Sequence, residues 1–197
     1  YHFPEFCFKI ISEKIVYDLY LSSIFSSKKN KDFKTKRELG TMDQEYSKIM
    51  VAVDGSNEAE LAFKKAVNVA KRNQAELLLA HVIDTRAFQT VSSFDNVLAE
   101  QATDMAKQTL GDYEAEAKKA GVKNISKVIE YGAPKVMIAN QIPENNQIDL
   151  IMLGATGLNA VERLFIGSVS EYVIRNADCD VLIVRTDLDN KVPEEDD

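Results

Sequence analysis

The stretch with the clearest chemical meaning is Gly154-Ala155-Thr156-Gly157, followed after nine residues by Gly167-Ser168. It follows an apolar run, Ile148-Asp149-Leu150-Ile151-Met152-Leu153, that reads as a buried parallel strand. It leads into residues 168–175, whose apolar positions have helical spacing. Glycine lets a backbone approach a ligand closely. A glycine-rich turn between a strand and a helix N-terminus presents unpaired N–H groups and a positive dipole end, and phosphate binds there. The first reading is therefore a cradle for a nucleotide's phosphates. Signals for rapid catalysis are weaker. No Gly-Lys-Ser/Thr stands beside the glycines, no evident base is placed to activate water, and no tight carboxylate pair marks a two-metal site.

Other chemically capable residues carry plainer readings. His81 lies within an apolar strand and reads as a core histidine with a hydrogen-bond partner rather than as a base. Cys179 reads as a small buried hydrophobe or a residue at the start of a strand. Cys7 and Cys179 with two histidines form no zinc spacing, and two distant cysteines make no disulfide framework. Arg163, inside the nine-residue stretch, is read as a solvated arginine, with a reach to phosphate as the alternative.

The elements that must position the glycines alternate strand and helix. Strands are expected at 48–53, 77–83, 125–131, 148–153 and 180–185, and helices from Ser56 or Asn57, at 95–120, at 134–141 and from Ser168. Residues 84–94 read as a loop. Apolar strands in this alternation argue for an open parallel sheet, doubly wound with helices on both faces. Ligands of such sheets sit outside the C-terminal strand ends. Asp54, Val82 to Asp84, and Gly154 to Gly157 all lie there, so three pieces of chain are expected to converge on one crevice.

Composition narrows the partners. Of 197 residues, 45% are apolar, which suits a globular domain with a sizeable core. Residues 1–41 carry a net charge of +3 and residues 42–197 a net −10. An acidic body disfavours nucleic acid and anionic membrane surfaces as partners. No stretch approaches the ~18 uninterrupted apolar residues of a membrane span. A reducing cytoplasm is the expected location. Residues 1–41 are expected to be an extension, either upstream sequence before a start at Met42 or an amphipathic segment for a partner or membrane. Residues 42–186 are expected to form one domain, and residues 187–197 an acidic disordered tail.

The segments 49–56 and 78–84, with the glycine block at 154–168, together resemble the universal stress protein family over about residues 47–186. Ile49-Met50-Val51-Ala52-Val53-Asp54-Gly55-Ser56 is similar to that family's first strand and loop, and Leu78-Leu79-Ala80-His81-Val82-Ile83-Asp84 to its second strand. The glycine block has the spacing of the ATP-binding branch. The resemblance implies a Rossmann-like five-stranded sheet of order 3-2-1-4-5. It implies ribose contacts from Asp54, a backbone contact to adenine from Val82, and backbone closure around phosphates at Gly154 and Gly157. It implies phosphate contacts from Gly167 and Ser168, with Leu153, Thr156 and Val169 lining the site. Thr156 departs from the histidine, arginine or serine that many members carry there. The implied ligand is ATP, with magnesium as an optional companion. The implied assembly is a homodimer through Val181-Leu182-Ile183-Val184, since a hydrophobic sheet edge needs covering. The expected role is a nucleotide-binding module of stress signalling with an unnamed downstream partner. The alternative is a slow ATPase or nucleotide-transfer enzyme on the same scaffold.

Overall fold

Strands that read as apolar runs pair here into a parallel sheet whose residues alternate between two helical layers. The computed structural model describes residues 45–88, 95–157 and 166–191. The strands are β1 (Lys48–Ala52), β2 (Glu76–Asp84), β3 (Ile125–Gly132), β4 (Leu150–Gly154) and β5 (Asp180–Val184). Their order is β3-β2-β1-β4-β5 and every pairing is parallel. This is the expected sheet, with β1 at its centre: Met50 lies between Leu78 of β2 and Ile151 of β4. At the N-terminal strand ends the Asp149 carboxylate accepts hydrogen bonds from the N–H groups of Ser47 (2.6 Å) and Lys48 (3.2 Å).

The helices are α1 (Asn57–Asn73), α2 (Asp95–Lys119), α3 (Pro134–Val136), α4 (Ile142–Asn146) and α5 (Ser168–Asn176). Successive strand residues point to opposite faces, and the core divides accordingly. Ile49, Val51, Leu77, Leu79 and Met152 pack with Ala62, Phe63 and Ala66 of α1 and Leu110 and Ala117 of α2. Met50, Leu78, Ala80, Ile151 and Leu153 pack with Ile138, Ile142 and Val173 on the other face. Phe63 is fully buried, with its ring 4.5 Å from that of Tyr113. Burying one such ring contributes about 1.5–3 kcal/mol.

Helix α1 begins where Ser56 accepts a hydrogen bond from the Ala59 N–H, 3.1 Å away. Glu58 and Glu60 in its first turn and Lys71 and Arg72 in its last complement the helix dipole. The helix expected at 134–141 runs on through a π-helical turn, Met137–Gln141, into α4. Pro143 rules out a regular α-helical turn here: it has no N–H to bond Ala139, and its ring would crowd that carbonyl.

Thr85–Phe88 forms a 3₁₀ turn at the start of the expected loop. The expected tail begins with a hydrogen-bonded turn, in which Asp187 Oδ1 accepts from the N–H groups of Asp189 (2.9 Å) and Lys191 (2.8 Å). Residues 1–41, Arg163 and residues 192–197 lie outside the described residues. Among the described residues no helix is long and apolar enough to cross a membrane.

Candidate functional site

The C-terminal ends of β1, β2 and β4 and the start of α5 surround a cavity of about 430 Å³. That is the size of a small-molecule site. Asp54, Val82, Leu153, Gly154, Thr156, Gly157, Gly167, Ser168 and Val169 all line it. The structure therefore brings together the nine residues that the family resemblance implies for the binding site.

Where β1 ends, the Val53 N–H donates to the Ala80 carbonyl at 2.9 Å, and the chain turns toward α1. Asp54 Oδ1 accepts from the Ser56 N–H at 3.0 Å. Gly55, at φ +85°, supplies the left-handed conformation that this turn requires. Ser56 caps α1, so Asp54 shapes the turn with one carboxylate oxygen without being the cap itself.

The glycine block contains two different kinds of glycine. A Cβ on Gly154 would lie 2.8 Å from the backbone carbon of Glu58 and 2.9 Å from its carbonyl oxygen. Gly154 is thus required where the end of β4 meets the first turn of α1. A Cβ on Gly157 would lie 2.5 Å from Asp54 Oδ2. Gly157 therefore brings the glycine turn against the carboxylate at the end of β1. A Cβ on Gly167 would meet the Ala155 carbonyl at 3.2 Å, and the Gly167 N–H donates to that carbonyl at 2.7 Å.

These contacts fasten α5 to the end of β4. Ser170 Oγ, buried, donates to the Gly154 carbonyl at 2.8 Å. The first N–H groups of an α-helix have no partner within it. Gly167 occupies the N-cap position, and among the described residues no side chain caps the helix there. Ser168, Val169 and Ser170 line the cavity, which therefore holds the positive end of α5 beside apolar Ala52, Val82, Ile138 and Leu153.

The end of β2 adds a pair of charges: Asp84, which the sequence already places at the crevice, and Arg86, which sequence reasoning did not select. Arg86 grips Asp84 as a fork, Nε to Oδ1 at 2.8 Å and Nη2 to Oδ2 at 2.5 Å, and its N–H also donates to Oδ1 at 3.0 Å. The Arg86 side chain holds the Asp84 carboxyl below its ordinary pKa, chiefly by hydrogen bonding. A carboxylate and a guanidinium two residues apart at a strand's end were a readable signal. Ala80 was also readable, two residues before Val82 and so on the same face. Pro134 and Ile138 close this end from α3 and the π-turn, and no local pattern announced their approach.

His81 has the satisfied role expected of it. Its Nδ1 lies 2.8 Å from the Val53 carbonyl, which only accepts, so Nδ1 carries the hydrogen. Cys179 is half-buried just before β5 and packs against the second core cluster. Burial, with Asp149 and neighbouring carboxylates, raises its pKa. Among the described residues no three His, Cys, Asp or Glu side chains gather as metal ligands.

The sequence pattern of the universal stress protein family matches residues 45–185. The chain belongs to the universal stress protein family. A universal stress protein relative from Staphylococcus haemolyticus is 45% identical over 150 residues, covering 76% of this chain and 89% of the relative. The solved structure of universal stress protein UspA from Lactobacillus plantarum superposes with a TM-score of 0.65 at 36% identity. That match covers 72% of this chain and 99% of UspA. A universal stress protein solved in complex with cAMP superposes with a TM-score of 0.56 at 26% identity, covering 71% of this chain and 97% of that one. The strand order and the cavity at the strand ends are thus those of a chain whose family contains a nucleotide complex.

Proposed function

We propose that the cavity binds an adenine nucleotide, ATP foremost, and that the protein acts as a nucleotide-binding module of stress signalling. One observation carries the reading. The start of α5, which no side chain caps among the described residues, the close-packed turn at Gly157 and the Asp54 carboxylate share one cavity with an apolar wall. That combination suits a ligand with an anionic end, a hydroxylated middle and a flat apolar body. In the proposed complex the first N–H groups of α5 and the Ser168 hydroxyl hold phosphate, with Gly154, Thr156, Gly157, Gly167 and Val169 around it. Asp54 accepts hydrogen bonds from the ribose hydroxyls. The Val82 backbone meets the edge of the adenine, and Leu153 packs against the ligand. Magnesium would be carried by the phosphates, as is usual for this ion. The cAMP complex of a family member supports the adenine class of ligand.

β5 is an edge strand with Leu182 exposed, and a second copy pairing along Val181 to Val184 would cover it. The acidic sequence and sparse cysteines suit the cytoplasm.

The test is direct. Freshly purified protein is denatured and the released small molecules are weighed by mass spectrometry, and the emptied protein is titrated with ATP in a calorimeter. Released adenine nucleotide or saturable ATP binding is expected. A blank in both measurements removes the nucleotide reading and leaves the glycine block as a packed turn.

A further inference from the structure

The charged side chains in the described lining are Asp54, Asp84 and Arg86, so Arg86 is its single cation among the described residues. β4 and β2 flank β1, which puts their ends two strand spacings, about 10 Å, apart. On the nucleotide reading above, phosphates beside β4 place the base across β1, at the end of β2 where Asp84 and Arg86 stand. This inference rests on that reading.

A bare carboxylate there would discriminate between purines. Ionised aspartate only accepts hydrogen bonds. Guanine presents two adjacent donors, N1–H and N2–H, that match its two oxygens. Adenine presents the N1 lone pair, which a carboxylate repels. In this protein neither oxygen of Asp84 is bare. Oδ1 accepts from Arg86 N–H and Nε, and Oδ2 from Nη2 and, at 3.2 Å, Nε. The pairing is bidentate, the arrangement in which arginine binds carboxylate most strongly. The Arg86 side chain itself is 60% exposed, so the core does not require it.

We propose that Arg86 is a specificity-determining residue of this cavity: by occupying both oxygens of Asp84 it withholds the carboxylate that would otherwise select guanine, and so tunes the site to adenine. Selectivity then comes from removing an interaction with the wrong base as much as from contacts with the right one.

The experiment measures the ratio of GTP to ATP dissociation constants by calorimetry for the emptied wild-type protein, Arg86→Ala, Arg86→Gln and the double variant Asp84→Ala/Arg86→Ala. Wild type is expected to favour ATP. Both single variants should shift the ratio toward GTP by roughly tenfold, the scale of a charge-assisted hydrogen-bonded pair. The double variant, lacking the carboxylate, should return toward the wild-type preference. A ratio unchanged in both single variants overturns the proposal, as does an equal shift in the double variant or a wild type indifferent to the base. A wild type that binds neither nucleotide fails the nucleotide reading itself, a result distinct from an unchanged ratio.

Discussion

Helices α1 and α5 start from equivalent places, each beyond the C-terminal end of a central strand, yet their first turns are finished differently. At α1 the chain supplies its own partners: Ser56 Oγ takes the Ala59 N–H, and Asp54 takes the Ser56 N–H. Glu58 and Glu60 add negative charge to that turn. At α5 the N-cap residue is Gly167, which has no side chain to offer, and the first three residues of the helix line the cavity. One positive helix end is answered from within, and the other is directed at the site. The difference separates residues that hold the fold from residues available to a ligand, even when both are glycines or serines at the same kind of turn.

The largest expected effect comes from Gly154. Its missing Cβ is displaced by the backbone of Glu58, which belongs to the first turn of α1 and cannot step aside cheaply. Gly154→Val should therefore destabilise the fold by about 3 kcal/mol, at the upper end for overpacking. Denaturant unfolding would register it. A variant as stable as wild type would mean that Gly154 serves the ligand rather than the junction of β4 with α1.

Gly157, three residues later, should behave in the opposite way. Its crowding partner is Asp54 Oδ2, the end of a side chain that can rotate. Gly157→Val should keep the fold within about 1 kcal/mol of wild type. It should weaken ATP binding by roughly tenfold to a hundredfold, the loss expected when a charge-assisted contact is pushed out of place. Tight ATP binding by this variant would detach Asp54 from the site. A melting temperature lowered as far as in Gly154→Val would erase the distinction between the two glycines.

The sequence shows the glycines but not that distinction. Strand identity was legible because Ile49-Met50-Val51 and Leu150-Ile151-Met152 are apolar on both faces, as a parallel sheet between two helical layers demands. Asp54 and Gly154 were legible as cavity-lining positions because strand ends in such sheets meet at one edge. What Gly154 touches was not, because Glu58 is almost a hundred residues away in the chain and the contact exists only once β1 and β4 pair. The same holds for Pro134 and Ile138, which reach the cavity through tertiary packing alone. The π-turn was half legible: Pro143 forbids a regular helix, but packing of Ile138 and Ile142 against the sheet decides that the helix widens instead of stopping.

The smallest expected effects are the sharpest test of the comparison, since they use one substitution at two helix starts. Ser56→Ala removes the acceptor of the Ala59 N–H in a buried position and should cost about 1 kcal/mol of stability. It removes nothing that faces the cavity, so ATP affinity should stay as it is. Ser168→Ala acts on an exposed hydroxyl in the first turn of α5, where stability should change by less than about 0.5 kcal/mol. Its effect should appear in ATP affinity instead, as a loss of roughly fivefold, the net value of about one hydrogen bond. Thermal unfolding and ATP titration of both variants give a two-by-two result. The contrast between the helices predicts loss on one diagonal only: stability for Ser56, affinity for Ser168. Equal destabilisation by the two variants would make Ser168 a structural residue like Ser56. The start of α5 would then be closed by the protein itself, and the cavity would lose the feature that most favours an anion.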